Sequence, residues 1–195
     1  KTTAPSYMWD KTAIKEIFYS GSYPATDDQL IVDITYLVNN KFLNIQREIV
    51  TSHQEYFLQV DRITKGDQPI ADFDGGGNGH MALKIIAQKY LHNHGSRIAL
   101  FEREFEGCRP DVITPDRCIL IECGNVEPNK IFSYFKNETI QKLIIIPYPD
   151  PEEPVFAFTF TPQNELARFL FFKEREELRA LQKIFNNAHT KRPSR

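Results

Sequence analysis

The chain has no apolar run approaching the roughly 20 residues that a membrane-crossing helix needs, which excludes a helical span. It has little net charge: 24 Lys and Arg against 26 Asp and Glu give a formal −2 at pH 7. Nothing global therefore marks a strongly basic, non-specific binder of nucleic acid. Enzymes built on acidic metal sites are not excluded, because they carry local charge of both signs. Cysteine is scarce and odd in number: Cys108, Cys118 and Cys123 crowd one region. They are expected to be free thiols acting as small core hydrophobes in a reducing cytoplasm. Zinc would require two-residue spacing and a fourth ligand. The glycines of the stretch Asp72 to Gly79 lack a following Gly-Lys-Ser/Thr, which argues against a nucleotide-phosphate loop and for a connector or tight turn. Internal repeats and low-complexity segments are absent, and no stretch reads as a secretory signal, so a cytoplasmic protein is expected.

What is present is ordinary in bulk. The chain has 195 residues, 41% of them hydrophobic and 26% charged, which suits a globular core domain with an extension. In order, Ile14, Ile17 and Phe18 suggest a short helix from Asp10 to Tyr19. Asp27 and Asp28 can cap a stronger one, with Leu30, Ile31, Ile34, Leu37 and Val38 on one face, continuing loosely through Phe42 and Leu43. Glu55 to Ile63 fits strand or helix. His80 to His94 reads as a helix stopped by Gly95. Its closing His92-Asn93-His94 lacks the hairpin context of nucleases named for those letters. Strands are expected at Ile98 to Phe105, Pro110 to Thr114, Cys118 to Cys123, Leu143 to Pro147 and Val155 to Phe160. A helix should begin at Pro128 and Asn129, and a long amphipathic helix should run from Glu165 to Phe185. The organisation expected is a mainly helical region over 1–75 (recognition or oligomerisation), a core domain over 76–186, and a basic mobile tail over 187–195.

The chemistry concentrates between Phe101 and Lys130. Asp111 opens one strand just after a proline, and Glu122 lies at the far end of the otherwise apolar Cys118-Ile-Leu-Ile-Glu-Cys strand. A carboxylate there is costly unless paired or bound to a cation. Two on neighbouring strands make a place for a divalent metal. The bland alternative is a turn acid and a strand-end acid paired with Arg109 or Arg117.

The order helix, three strands, helix, strand resembles the core of the PD-(D/E)XK nuclease superfamily, the restriction-endonuclease-like fold shared with Holliday-junction resolvases. Arg109-Pro110-Asp111-Val112 is similar to the Pro-Asp half of its motif, and Leu120-Ile121-Glu122-Cys123-Gly124 to the Glu-x-Lys half, with ten residues between the two acids. The resemblance covers His80 to Pro147. It implies an α/β fold, a mixed sheet flanked by helices with a helical N-terminal extension, and Mg2+- or Mn2+-dependent hydrolysis of DNA in restriction, repair or mobile-element processing. By the same resemblance, Asp111 and Glu122 would be the metal carboxylates and the Cys123 carbonyl a further ligand. His80 stands where some members carry a metal-binding histidine. Glu104 is favoured over Glu102 and Glu106, which would share its strand face, as an additional catalytic glutamate.

The sequence departs from the pattern at Gly124, where the family has lysine. Lys130 or Asn125 could compensate, and Arg109 and Lys130 are expected to meet nucleic acid. The helix from Glu165 carries Arg168, Lys173, Arg175, Arg179 and Lys183 among its acids; a solvated, ion-paired face is the commoner meaning of such a run. DNA is the expected partner, RNA stays open beside it, and a homodimer or a partner protein fits the fold's habits. The alternative is a catalytically inactive nuclease-fold module that binds nucleic acid or protein.

Overall fold

The computed structural model describes residues 9–19, 28–67, 76–96, 98–104, 107, 109–163 and 175–190. Helix α1 (Lys11–Phe18) starts where the Asp10 carboxylate accepts the Ala13 N–H at 2.8 Å. It buries Ile14, Ile17 and Phe18. Helix α2 (Asp28–Asn39) buries Ile31, Ile34 and Leu37 along one stripe. It does not continue through Phe42 and Leu43, as its apolar spacing suggested. Lys41 turns the backbone at φ 62°, and Leu43 begins strand β1 (Leu43–Thr51).

The undecided segment is helix α3 (His53–Lys65). The Ser52 hydroxyl accepts the Glu55 N–H at 3.2 Å, and Gly66 closes the helix at φ 74°. Helix α4 (Asn78–Asn93) begins two residues before the expected His80. Strand β2 (Leu100–Phe101) is far shorter than Ile98 to Phe105, because Glu102 adopts φ 45° and ends the extended run. Strands β3 (Val112–Ile113) and β4 (Ile119–Cys123) follow, then helix α5 (Asn129–Phe135), strand β5 (Lys142–Ile146) and strand β6 (Val155–Pro162). Helix α6 (Arg175–Thr190) closes the described chain. Residues 165–174 of the expected long helix and 191–195 of the expected basic tail lie outside the described residues, while 187–190 are helical.

The protein is an α/β structure; among the described residues six strands form one mixed sheet in the order β1-β6-β5-β4-β3-β2. Only β4 and β5 run parallel, joined through α5; the other pairs are antiparallel. The N-terminal third therefore supplies an edge strand of the main sheet as well as helices, β1 lying along β6 from Leu43 opposite Pro162 to Thr51 opposite Val155.

Alternation along each strand sorts the apolar residues into two cores. On one face Leu120, Leu143, Ile145 and Phe160 pack under α1, α2 and α5, with Leu181 and Phe185 of α6 against them. On the other, Val112, Ile121, Ile144 and Ile146 pack under α3 and α4. Strand β5 is buried on both faces, which explains its unbroken Leu-Ile-Ile-Ile run.

Candidate active site

The site forms at the carboxyl end of β4, where β3 starts beside it. Asp111 immediately precedes β3, and its Oδ2 accepts the Cys123 N–H at 2.8 Å. A single peptide group of β4 thus ties Asp111 to the residue after Glu122. The other oxygen, Oδ1, lies 3.0 Å from His80 Nε2 and 3.3 Å from Lys84 Nζ, both reaching down from the first two turns of α4. Lys84 is 2% exposed and also donates to Glu102. Glu102 in turn accepts from Arg109 Nη2 at 3.1 Å, and its backbone carbonyl accepts from Arg109 Nε at 3.1 Å. The Glu102 N–H donates to the Asp111 carbonyl at 3.1 Å, so the left-handed turn that ends β2 brings its carboxylate to the site.

Glu122 occupies the opposite face of β4. Its side chain is 3% exposed, with Oε2 accepting from Lys130 Nζ at 2.9 Å and Oε1 from the Tyr134 hydroxyl, both from α5. Burial pushes its pKa up to about 7. Lys130 pulls it back, the neighbouring Asp111 charge adds to the rise, and Tyr134 offsets part of it. Asp111 goes the other way. Burial would raise its pKa too, but the His80 hydrogen bond and charge, the Cys123 N–H and Lys84 hold it below the ordinary carboxylate value. Burial would lower the Lys84 pKa, yet Glu102 and Asp111 together raise it, so the ammonium stays charged.

Gly124 cannot carry the lysine of the motif. Its φ is +75°, and a Cβ there would stand 2.6 Å from the Tyr148 ring. The ring fills the space into which a side chain at 124 would start. Lys84 presents an ammonium at Asp111 instead, and sequence reasoning missed it. The available signal was a lone lysine inside the apolar run Met81-Ala-Leu-Lys-Ile-Ile-Ala of a helix, where an ammonium must be paired. Comparison with protein-family models, curated proteins and solved structures gives no match.

Of the residues singled out from the sequence, Asp111, His80 and the Cys123 main chain meet directly, while Glu122 and Lys130 pair on the other side of β4. Arg109 reaches the site through Glu102. Glu104 is exposed, lining an open hollow with Glu102, Gly107 and Arg109, and Glu102 takes the inward position instead. Asn125 is also exposed. Glu106 and Cys108 lie outside the described residues, and Cys118 and Cys123 are free thiols.

Among the described residues, no three His, Cys, Asp or Glu side chains converge tightly enough to hold an ion alone. Magnesium is ordinarily held by one or two carboxylates, with water and substrate phosphate completing its octahedron. The donor set here fits that habit in kind. Asp111 or Glu122, which lie on opposite faces of β4, would hold the ion with the carbonyl of Cys123, oxygen donors that suit magnesium or manganese, while the His80 imidazole already stands against Asp111. The Cys123 thiol is unsuited: burial pushes its pKa well up, keeping it protonated.

Proposed function

We propose that this chain is a metal-dependent endonuclease of the PD-(D/E)XK type that hydrolyses phosphodiester bonds in DNA. The observation that carries the reading is the Asp111–Cys123 amide link, which fixes the Asp111 carboxylate at the end of β4 that also carries Glu122. It occurs within the order α4, β2, β3, β4, α5, β5, with β4 and β5 parallel. A bound Mg2+ or Mn2+ would screen the phosphate charge and lower the pKa of attacking water.

The chain's own residues supply the rest. A water oxygen bonds to phosphorus as the ester P–O bond breaks, leaving a phosphate on one strand end and a hydroxyl on the other. Lys84 holds a fixed ammonium beside Asp111, where negative charge gathers in that step. His80 orients the Asp111 carboxylate, and Lys130, more than a third exposed, offers a cation to an incoming phosphate on the Glu122 side.

Cleavage of supercoiled plasmid and of labelled single strands tests the proposal, with magnesium, manganese or chelator, beside the Glu122→Ala protein. Metal-dependent cutting that disappears in the variant is expected; cutting that persists removes Glu122 from the mechanism. One observation favours a binding-only module instead: both Glu122 oxygens are already engaged, by Lys130 and Tyr134. Salt-sensitive DNA binding by folded protein that cuts nothing would select that reading.

A further inference from the structure

Beyond the carboxylates, the sheet carries a second concavity that no part of the hydrolysis uses. A cavity of about 330 Å3 opens past the carboxyl end of β5, lined among others by Trp9, Arg47, Tyr148, Asp150, Glu153 and Phe156. Tyr148 belongs to both places: it walls this cavity and sits against Gly124 of the candidate active site. The carboxyl ends of parallel strands are where open α/β sheets receive ligands.

Five of the lining side chains, Trp9, Tyr19, Tyr148, Phe156 and Phe158, are aromatic. The exposed Arg47 guanidinium lies 3.6 Å from the Phe156 ring centroid, a stacked pair whose outer face is planar and cationic. Trp9 stands edge-on to Phe158 at 6.1 Å. The volume lies at the small end of ligand pockets, suiting one planar group rather than a duplex. The acids at the rim would repel a phosphate, but a carboxylate accepts hydrogen bonds from the exocyclic amine of a base.

We propose that this cavity takes one unstacked nucleobase bearing an exocyclic amine, presented by a single-stranded or locally opened segment of the strand bound at the carboxylates. The base would stack on the Arg47–Phe156 pair and donate its amine to Asp150 or Glu153. This deepens the endonuclease reading and rests on it for the position of the strand. It makes the substrate a strand with unpaired bases rather than an intact duplex.

Trp9 is the only tryptophan in the chain, so its fluorescence reports on the cavity directly. The 195-residue chain is titrated in chelator, which prevents cutting, with d(C)15, with d(T)15 and with an abasic strand of equal length. Saturable quenching by d(C)15 is expected, with d(T)15 and the abasic strand each at least about tenfold weaker. Arg47→Met should weaken d(C)15 about tenfold, and Asp150→Asn should narrow the gap between d(C)15 and d(T)15. Equal quenching by the abasic strand, or none by any strand, overturns the proposal. Metal-dependent cleavage with no Trp9 response would sink the base pocket and leave the endonuclease standing. A base-selective response without cleavage would do the reverse.

Discussion

The two carboxylates sit on opposite sides of one strand and meet opposite fates. On the α4 side, Asp111 is surrounded by an imidazole, a buried ammonium and a main-chain N–H, and it ionises more readily than a free aspartate. On the α5 side, Glu122 has one partly exposed lysine and a phenol, and burial wins, leaving it near half-protonation at neutral pH. Burial alone therefore does not decide the charge of a site carboxylate. The number and fixity of donors aimed at it do. A group that can neutralise itself with a proton tolerates the loss of a partner; one held ionised does not.

The largest break in this symmetry should come from Lys84→Met. It strands Glu102 and Asp111 in a site that is itself poorly exposed, so a loss of about 3–5 kcal/mol is expected in urea unfolding. The matching Lys130→Met should cost about 1 kcal/mol or less, since that lysine is 37% exposed and Glu122 can take up a proton. Similar losses for the two variants would show that the sides do not differ.

The pH dependence sharpens the contrast next. Glu122 keeps its proton in the folded state up to about pH 7 but releases it near 4.5 when unfolded. The folded state thus binds more protons in that window, and stability from this group falls as pH rises from 4.5 through 7. In chelator, Glu122→Gln should gain relative to wild type over that window, by roughly 1.4 kcal/mol per unit of pKa difference, and hold the gain above it. A parallel stability profile for the two proteins would show that Glu122 is not raised. Magnesium, if it binds the carboxylates, should shrink the difference.

A smaller effect is expected at Gly124→Ala, about 1–2 kcal/mol from the left-handed backbone alone, with the Tyr148 ring forced to shift. Smallest of all, Glu104→Ala should change stability by less than about 0.5 kcal/mol and leave cleavage unaltered, because its carboxylate is exposed. A large loss of cleavage there would return Glu104 to the site.

Legibility from sequence followed the same physics. The elements from α4 to β6 could be read because apolar periodicity is strong where both sheet faces are buried, as in Leu143 to Ile146. Strand β1 escaped because its outer half, Gln46 to Ile49, is exposed at an edge and shows no clean alternation. Helix α3 carried its own signals, Ser52 before it, Glu55 in its first turn and Gly66 after it, which the mixed composition between them obscured. Asp111 and Glu122 stood out because acids at strand ends are conspicuous. Lys84 did not, since its importance depends on which strand passes beneath it. Glu102 was passed over for Glu104, the centre of the expected strand, because the left-handed residue that ends the strand at 102 removes Glu104 from the shared face.

The aromatic ring lodged over Gly124 also constrains how such a site can change by mutation. A lysine introduced at 124 meets Tyr148, and removing Tyr148 alone opens a hole with no lysine to fill it. Neither single step gains what the pair would, so positions 124 and 148 form an epistatic couple. Any side chain gained at 124 must therefore be matched by a change at Tyr148, a residue twenty-four positions further along the chain.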